Sequence, residues 1–197
     1  GVDPGTLDPQ DHYETPAFNV LLHVYETLFM RDDEMKLQPL LATYSKVIND
    51  NTWEFGLRKG IKFHNGEEFN AAAVKFSLER MTDPKNKLKQ TTLQGVITKV
   101  DIIDDYTVRV FTSKPFPYLD GQLSNIGHIM PPRHTQEKGK DISRSPVGTG
   151  PYKFVRWVKD DQLSLEANEN YWRGAPKIKK IIFRPIPEAT TRVAGLQ

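Results

Sequence analysis

Between residues 52 and 81 the spacing of apolar residues changes, and no other feature restricts the fold so strongly. Trp53, Phe55 and Leu57 alternate with Glu54 and Gly56, so Thr52–Leu57 reads as a half-buried strand. Asn49-Asp50-Asn51 before it and Asn65-Gly66 after it carry turn chemistry. From Asn70 onward the period becomes helical. Val74, Leu78 and Met81 share one face of a helix over 71–81, with Asn70 as its N-cap. Asp83-Pro84 stops that helix, because the proline ring disfavours helical backbone at the residue before it. Strand, turn and amphipathic helix in succession belong to an α/β architecture.

The same signals organise the rest of the chain. A first helix is expected at Thr15-Pro16, with Thr15 as cap, Pro16 in the first turn and Phe18, Leu21, Leu22 and Tyr25 as its buried stripe. Strands are expected over 96–104 and 107–111, joined by an Asp104-Asp105 turn, and again over 151–157, 163–167 and 178–183. Pro115, Pro117, Pro131 and Pro132 mark the middle as connecting segments. Lys177, Lys179, Lys180 and Arg184 alternate with apolar residues as the outer positions of a strand, which argues against a nucleic-acid surface. A last helix opens at Pro187 and Glu188 and is still running at Gln197. The loop-like start is equally abrupt, so the chain is expected to be the N-terminal part of something larger.

Composition removes whole classes of chemistry. The 197 residues hold no cysteine, which excludes thiol catalysis, disulfides and iron–sulfur clusters and suits an oxidising compartment. With 27 basic against 25 acidic side chains the formal net charge is +2, ordinary for a folded domain. No apolar run approaches the ~18 residues of a membrane span. The serine-hydrolase elbow, the phosphate-binding loop and the zinc-protease helix motif are all absent. Gly148-Thr149-Gly150 starts like a dinucleotide fingerprint, but Lys153 and a strand follow it, so it reads as a tight, strained backbone turn. His12, His23, His64, His128 and His134 show no metal spacing, and the acidic doublets fall at turns. No catalytic residue, metal or cofactor is expected. An aromatic-rich ligand-binding module remains.

Three stretches carry a resemblance. They are Leu7-Asp8-Pro9 with Val24-Tyr25-Glu26-Thr27-Leu28; the run from Leu40 through Trp53 and Lys62-Phe63-His64-Asn65-Gly66 to Ala71; and Pro146-Val147-Gly148-Thr149-Gly150-Pro151-Tyr152, followed by Asn168–Gly174 and Pro185-Ile186-Pro187-Glu188. Together they resemble the extracellular solute-binding proteins of peptide and nickel ABC transporters, solute-binding family 5. The resemblance implies a periplasmic-binding-protein-like α/β lobe, a mixed sheet with helices, carrying an inserted small β-rich subdomain. Residues 1–34 and 146–197 would form the lobe and 35–145 the insertion, with a second lobe beyond Gln197.

It further implies capture of a peptide-type solute, delivery to an ABC permease in the membrane, and residence in the periplasm or on a lipid anchor. The cleft would be lined by Asp11, His12, Tyr13, Glu14 and Thr15, where a helix N-terminus also offers free amides. The nickel or metallophore branch is the alternative. Its Arg and Trp are not matched in Leu88-Lys89-Gln90-Thr91-Thr92-Leu93. A peptide or cell-wall hydrolase working from the missing half is the alternative of another class.

Overall fold

The change of period becomes a sheet with a helix across one face. The computed structural model describes residues 2–186 and 188. Strands β3 (Ala42–Asn49), β4 (Thr52–Leu57), β5 (Ile97–Asp104) and β6 (Thr107–Thr112) form an antiparallel sheet in the order β3-β4-β6-β5. Trp53 lies opposite Val110 and Phe55 opposite Val108, while Val100 faces Val110 from the other side. All five therefore share one face, and α2 (Ala71–Thr82) covers it with Val74, Leu78 and Met81. Full burial of a side chain such as Phe55 is worth about 2–3 kcal/mol. Asn70 caps α2 by accepting from the Ala73 N–H at 3.2 Å. The opposite face is polar, with Arg109 paired to Glu54 at 2.9 Å. The Tyr44 ring lies 2.0 Å from where a Gly56 Cβ would stand, so only glycine fits under it.

A second core gathers α1 (Thr15–Val24) with β7 (Tyr152–Val158), β8 (Gln162–Ala167) and β9 (Lys180–Phe183), which pair antiparallel in that order. Each described strand pair is antiparallel, so the lobe's sheet is not mixed over these residues. A short turn joins β7 to β8, and no helix crosses between β8 and β9 as parallel pairing would ordinarily require. The buried stripe of α1 is Ala17, Val20, Leu21 and Val24, one step from the expected stripe; Leu22 is 50% exposed. The small side chain of Ala17 lets the helix sit down on the sheet. Glu14, not Thr15, occupies the N-cap, and its carboxylate accepts from the Gly5 N–H instead of capping.

Pro115, Pro117 and Pro131 stand in connecting segments as expected, but two short helices that were not expected lie between and after them. Leu119, Leu123 and Ile126 form the buried stripe of α3 (Leu119–Ile126), and Pro132 opens α4 (Pro132–Lys138) at a position where its missing N–H costs nothing. A short hairpin, β1 (Phe29–Arg31) with β2 (Leu37–Pro39), and two 3-10 turns, Pro84–Asn86 and Gly139–Arg144, complete the described elements. The helix expected from Pro187 lies outside the described residues.

The two cores meet at a strap over residues 147–151. Neither Gly148 nor Gly150 has a positive φ, so the expected strained turn is absent. Close approach is the reason for both glycines. A Cβ on Gly148 would stand 2.0 Å from the Val24 carbonyl oxygen, and one on Gly150 2.6 Å from that of His23. The Gly150 N–H donates to the Val24 carbonyl at 2.9 Å. His64 holds the strap on one flank, with Nε2 to the Gly150 carbonyl at 2.9 Å and Nδ1 facing the Gly148 N–H at 3.4 Å. Glu26 holds the other, accepting from Thr149, Tyr171 and the Trp172 indole at 2.7–3.0 Å.

Candidate functional site

The segment after Leu7-Asp8-Pro9 is pinned to α2 before it reaches α1. Asp8 pairs with Arg80 at 2.6 Å and accepts from the Gln10 N–H. Gln10 in turn donates to the Ser77 carbonyl and accepts from Arg80. Residues 89–91 then run beside it. The Lys89 N–H donates to Asp11, the Gln90 N–H to the Gln10 carbonyl, and the Gln90 amide to the His12 carbonyl at 2.8 Å. These bonds fix the backbone at His12 and leave its ring uncommitted.

That ring lines a cavity of about 380 Å³. His12, Tyr13, Glu14, Thr15 and Phe18 form one wall, Gln90 and Thr92 a second, and Gln122, Asn125, Ile126 and His128 a third. Four of the five expected residues are brought together here. Asp11 lines a separate groove of about 1120 Å³, where Asp8 pairs with Arg80 and Asp11 accepts from the Lys89 backbone N–H. A third concavity, about 390 Å³, lies at the strap, and its His64, Thr149, Asn168 and Trp172 are bonded within the chain.

Burial governs the electrostatics of the site. His12 is 3% exposed and His128 2%. Burial lowers the His12 pKa; the nearby Glu14 carbonyl, outside hydrogen-bonding geometry, and the Glu14 and Asp8 carboxylates oppose the shift, while Lys89 adds to it. Burial and then the charge of His12 push His128 down to about 4, so both rings are neutral at pH 7. Tyr25 meets His128 edge-on at 6.4 Å, and Phe18 lies 6.5 Å from His12. Among the described residues lining the cavity there is no Lys or Arg, and neither imidazole is bonded to a hydroxyl as a nucleophile–base pair would be. No group of three or more His, Cys, Asp or Glu among the described residues is placed to hold a metal ion.

Sequence reasoning missed Gln90, Thr92, Gln122, Asn125 and His128. His128 carried a usable signal: Ile126 before it and Ile129-Met130 after it predict a buried imidazole in need of a partner.

Residues 36–197 match the pattern of the bacterial extracellular solute-binding proteins, family 5 Middle. The glutathione-binding protein GsiB of Pectobacterium atrosepticum is 38% identical over 195 residues, which are 98% of this chain and 38% of that protein. The mannopinic acid complex of MoaA from A. tumefaciens R10 superposes with a TM-score of 0.93 at 30% identity, covering all of this chain and 41% of that one. The periplasmic binding protein DppA of Helicobacter pylori, in complex with peptide STSA, gives 0.91 at 27% identity, covering all of this chain and 43% of that one. The chain thus spans about two-fifths of the length of the relatives it matches. A polar cavity without a catalytic pair, on a fold shared over its whole length with ligand-carrying binding proteins, agrees with the sequence match: the chain belongs to the bacterial extracellular solute-binding proteins of family 5.

Proposed function

We propose that this chain contributes one wall of the solute cleft of an ABC-transporter substrate-binding protein. That protein captures a peptide-type solute outside the cytoplasm, in the periplasm or on a lipid anchor, and hands it to a membrane permease without making or breaking a bond. One observation carries the reading: the loop from His12 to Thr15 and the end of α3 converge on a cavity whose buried imidazoles are not consumed by the fold. Neutral amides suit the backbone of a short peptide, which offers alternating donors and acceptors. The relatives described as glutathione-binding and peptide-complexed support the solute class. On this reading residues 1–34 and 146–197 belong to the first lobe of the two-lobed binder, and 35–145 to the β-rich subdomain inserted within it.

Calorimetric titration of the complete protein with reduced glutathione and with the tetrapeptide Ser-Thr-Ser-Ala tests the proposal. Saturable binding with both peptides recovered intact by mass spectrometry is the expected result. Cleavage products would transfer the protein to the hydrolases, and binding of neither peptide would remove the peptide class.

A further inference from the structure

We infer that Gln122 and Asn125, a pair on one flank of α3, set the solute specificity of this wall by hydrogen-bonding an uncharged stretch of the solute's backbone. The inference rests on the solute-binding reading above and names the residues and the chemistry by which this wall selects.

Helical positions three apart are surface neighbours, so Gln122 and Asn125 stand together beside the buried stripe of Leu119, Leu123 and Ile126. The stripe anchors α3 in the core, and the pair beside it lines the cavity of about 380 Å³. Asn125 is exposed and Gln122 half-buried, so both can be reached from the cavity. Neither carboxamide has a hydrogen-bond partner among the described residues. The other large polar groups of the lining are spoken for. The Gln90 amide donates to the His12 carbonyl, the Tyr13 hydroxyl lies 3.4 Å from that of Thr91, and the Glu14 carboxylate accepts from the Gly5 N–H. The unpaired ring nitrogens of His12 and His128 are buried, out of a solute's reach. What the cavity offers a solute is therefore concentrated in the two carboxamides, with the hydroxyls of Thr15 and Thr92 as the smaller remainder.

The lining says what kind of group the pair takes. A carboxamide carries a donor and an acceptor side by side, and an extended peptide presents the same combination from one residue's N–H and C=O. Backbone groups of a solute can thus replace water at the two carboxamides bond for bond. Among the described lining residues there is no Lys or Arg, and Glu14 is the one charged side chain. A carboxylate or phosphate placed here would lose hydration and gain no counter-charge. The charged ends of a peptide-type solute therefore lie away from this pair.

The test is calorimetric titration of the complete protein with reduced glutathione. The double variant Gln122→Ala/Asn125→Ala is expected to bind roughly tenfold or more weakly, each neutral bond being worth about fivefold. It should melt within about 2 °C of the parent, because neither side chain carries the fold. Asn125→Lys, which adds a positive charge at an exposed position, is expected to weaken binding as well. A double variant that binds as tightly as the parent overturns the inference and leaves the solute reading standing. So does tighter binding by Asn125→Lys, because it shows a carboxylate of the solute beside the pair. A double variant that melts well below the parent in step with its loss of binding overturns it too, since that assigns the pair to the fold. Failure of the parent itself to bind the probe strikes first at the solute reading and takes this inference with it.

Discussion

The strap at 147–151 and the cavity at His12 are built from similar side chains at similar depth, yet they use their hydrogen-bonding capacity in opposite ways. At the strap, His64 serves two backbone groups and Glu26 accepts three bonds. In the cavity, both ring nitrogens of His12 and Nδ1 of His128 are buried without a hydrogen-bond partner among the described residues. The strap turns polar groups into rigidity between two cores. The cavity keeps them in reserve at a cost in stability, which is how binding sites commonly depart from the packing of the surrounding fold. A polar residue's environment therefore says less about its role than whether its valences are already filled.

The comparison breaks most decisively if the cavity binds alone. On the two-wall reading the 197-residue chain should bind glutathione ~10³-fold more weakly than the complete protein, roughly −4 against −8 kcal/mol. Equal affinities in side-by-side calorimetry would place the whole site on this lobe. Next in size is the strap: Gly148→Ala forces a methyl group into the Val24 carbonyl and should cost about 3 kcal/mol in urea unfolding, with the m-value unchanged. A loss below about 1 kcal/mol would mean that the strap yields.

The titrations sharpen the contrast further. His64 is pushed down to about 4 by burial, against about 6.5 in the unfolded chain. The unfolded state takes up the proton first, so this stabilisation is complete above pH 6.5 and fades towards pH 4, by about 2 kcal/mol at pH 5. Wild type should lose stability over that window faster than His64→Gln; parallel slopes would dissociate the clamp from the ring. His128 adds a slope of the same sign, which a His128→Gln background removes. Glu26 should give the smallest effect and the opposite sign. Burial raises its pKa despite three hydrogen bonds, so the native state takes up the proton more readily than the unfolded chain. Relative to Glu26→Gln, wild type should gain stability as pH falls from 7 to 5, and a relative loss would contradict the burial account.

What the sequence disclosed follows from the range of the forces involved. Thr52–Leu57 and Thr107–Thr112 are legible because alternation is a local signal and their inner faces, Trp53, Phe55, Val108 and Val110, leave one register open. The α1 stripe was displaced because Ala17 is weakly hydrophobic and Leu22 strongly so, while the sheet beneath selected for shape. Helices α3 and α4 were hidden by prolines that stand at helix starts and in the approach to them, not within the helical turns. For the site, the resemblance pointed to the loop at His12–Thr15. The other walls were out of reach, since Gln90 and His128 arrive through contacts between residues far apart in the chain, 78 positions for the bond from Gln90 to His12.

Those same closures put a clock on the molecule. The apolar side of α1, made by Ala17, Val20, Leu21 and Val24, is covered by strands that begin at Tyr152. At ~5–20 residues per second a ribosome needs roughly 6–25 s to cover the distance of about 130 residues between them. The β3-β4-β6-β5 sheet has all its strands in hand well before then. Chain position thereby orders assembly: that sheet can settle first, while the apolar side of α1 waits for strands that begin at Tyr152. Among the described elements, the apolar side of α1 is the surface that waits longest for the strands that cover it.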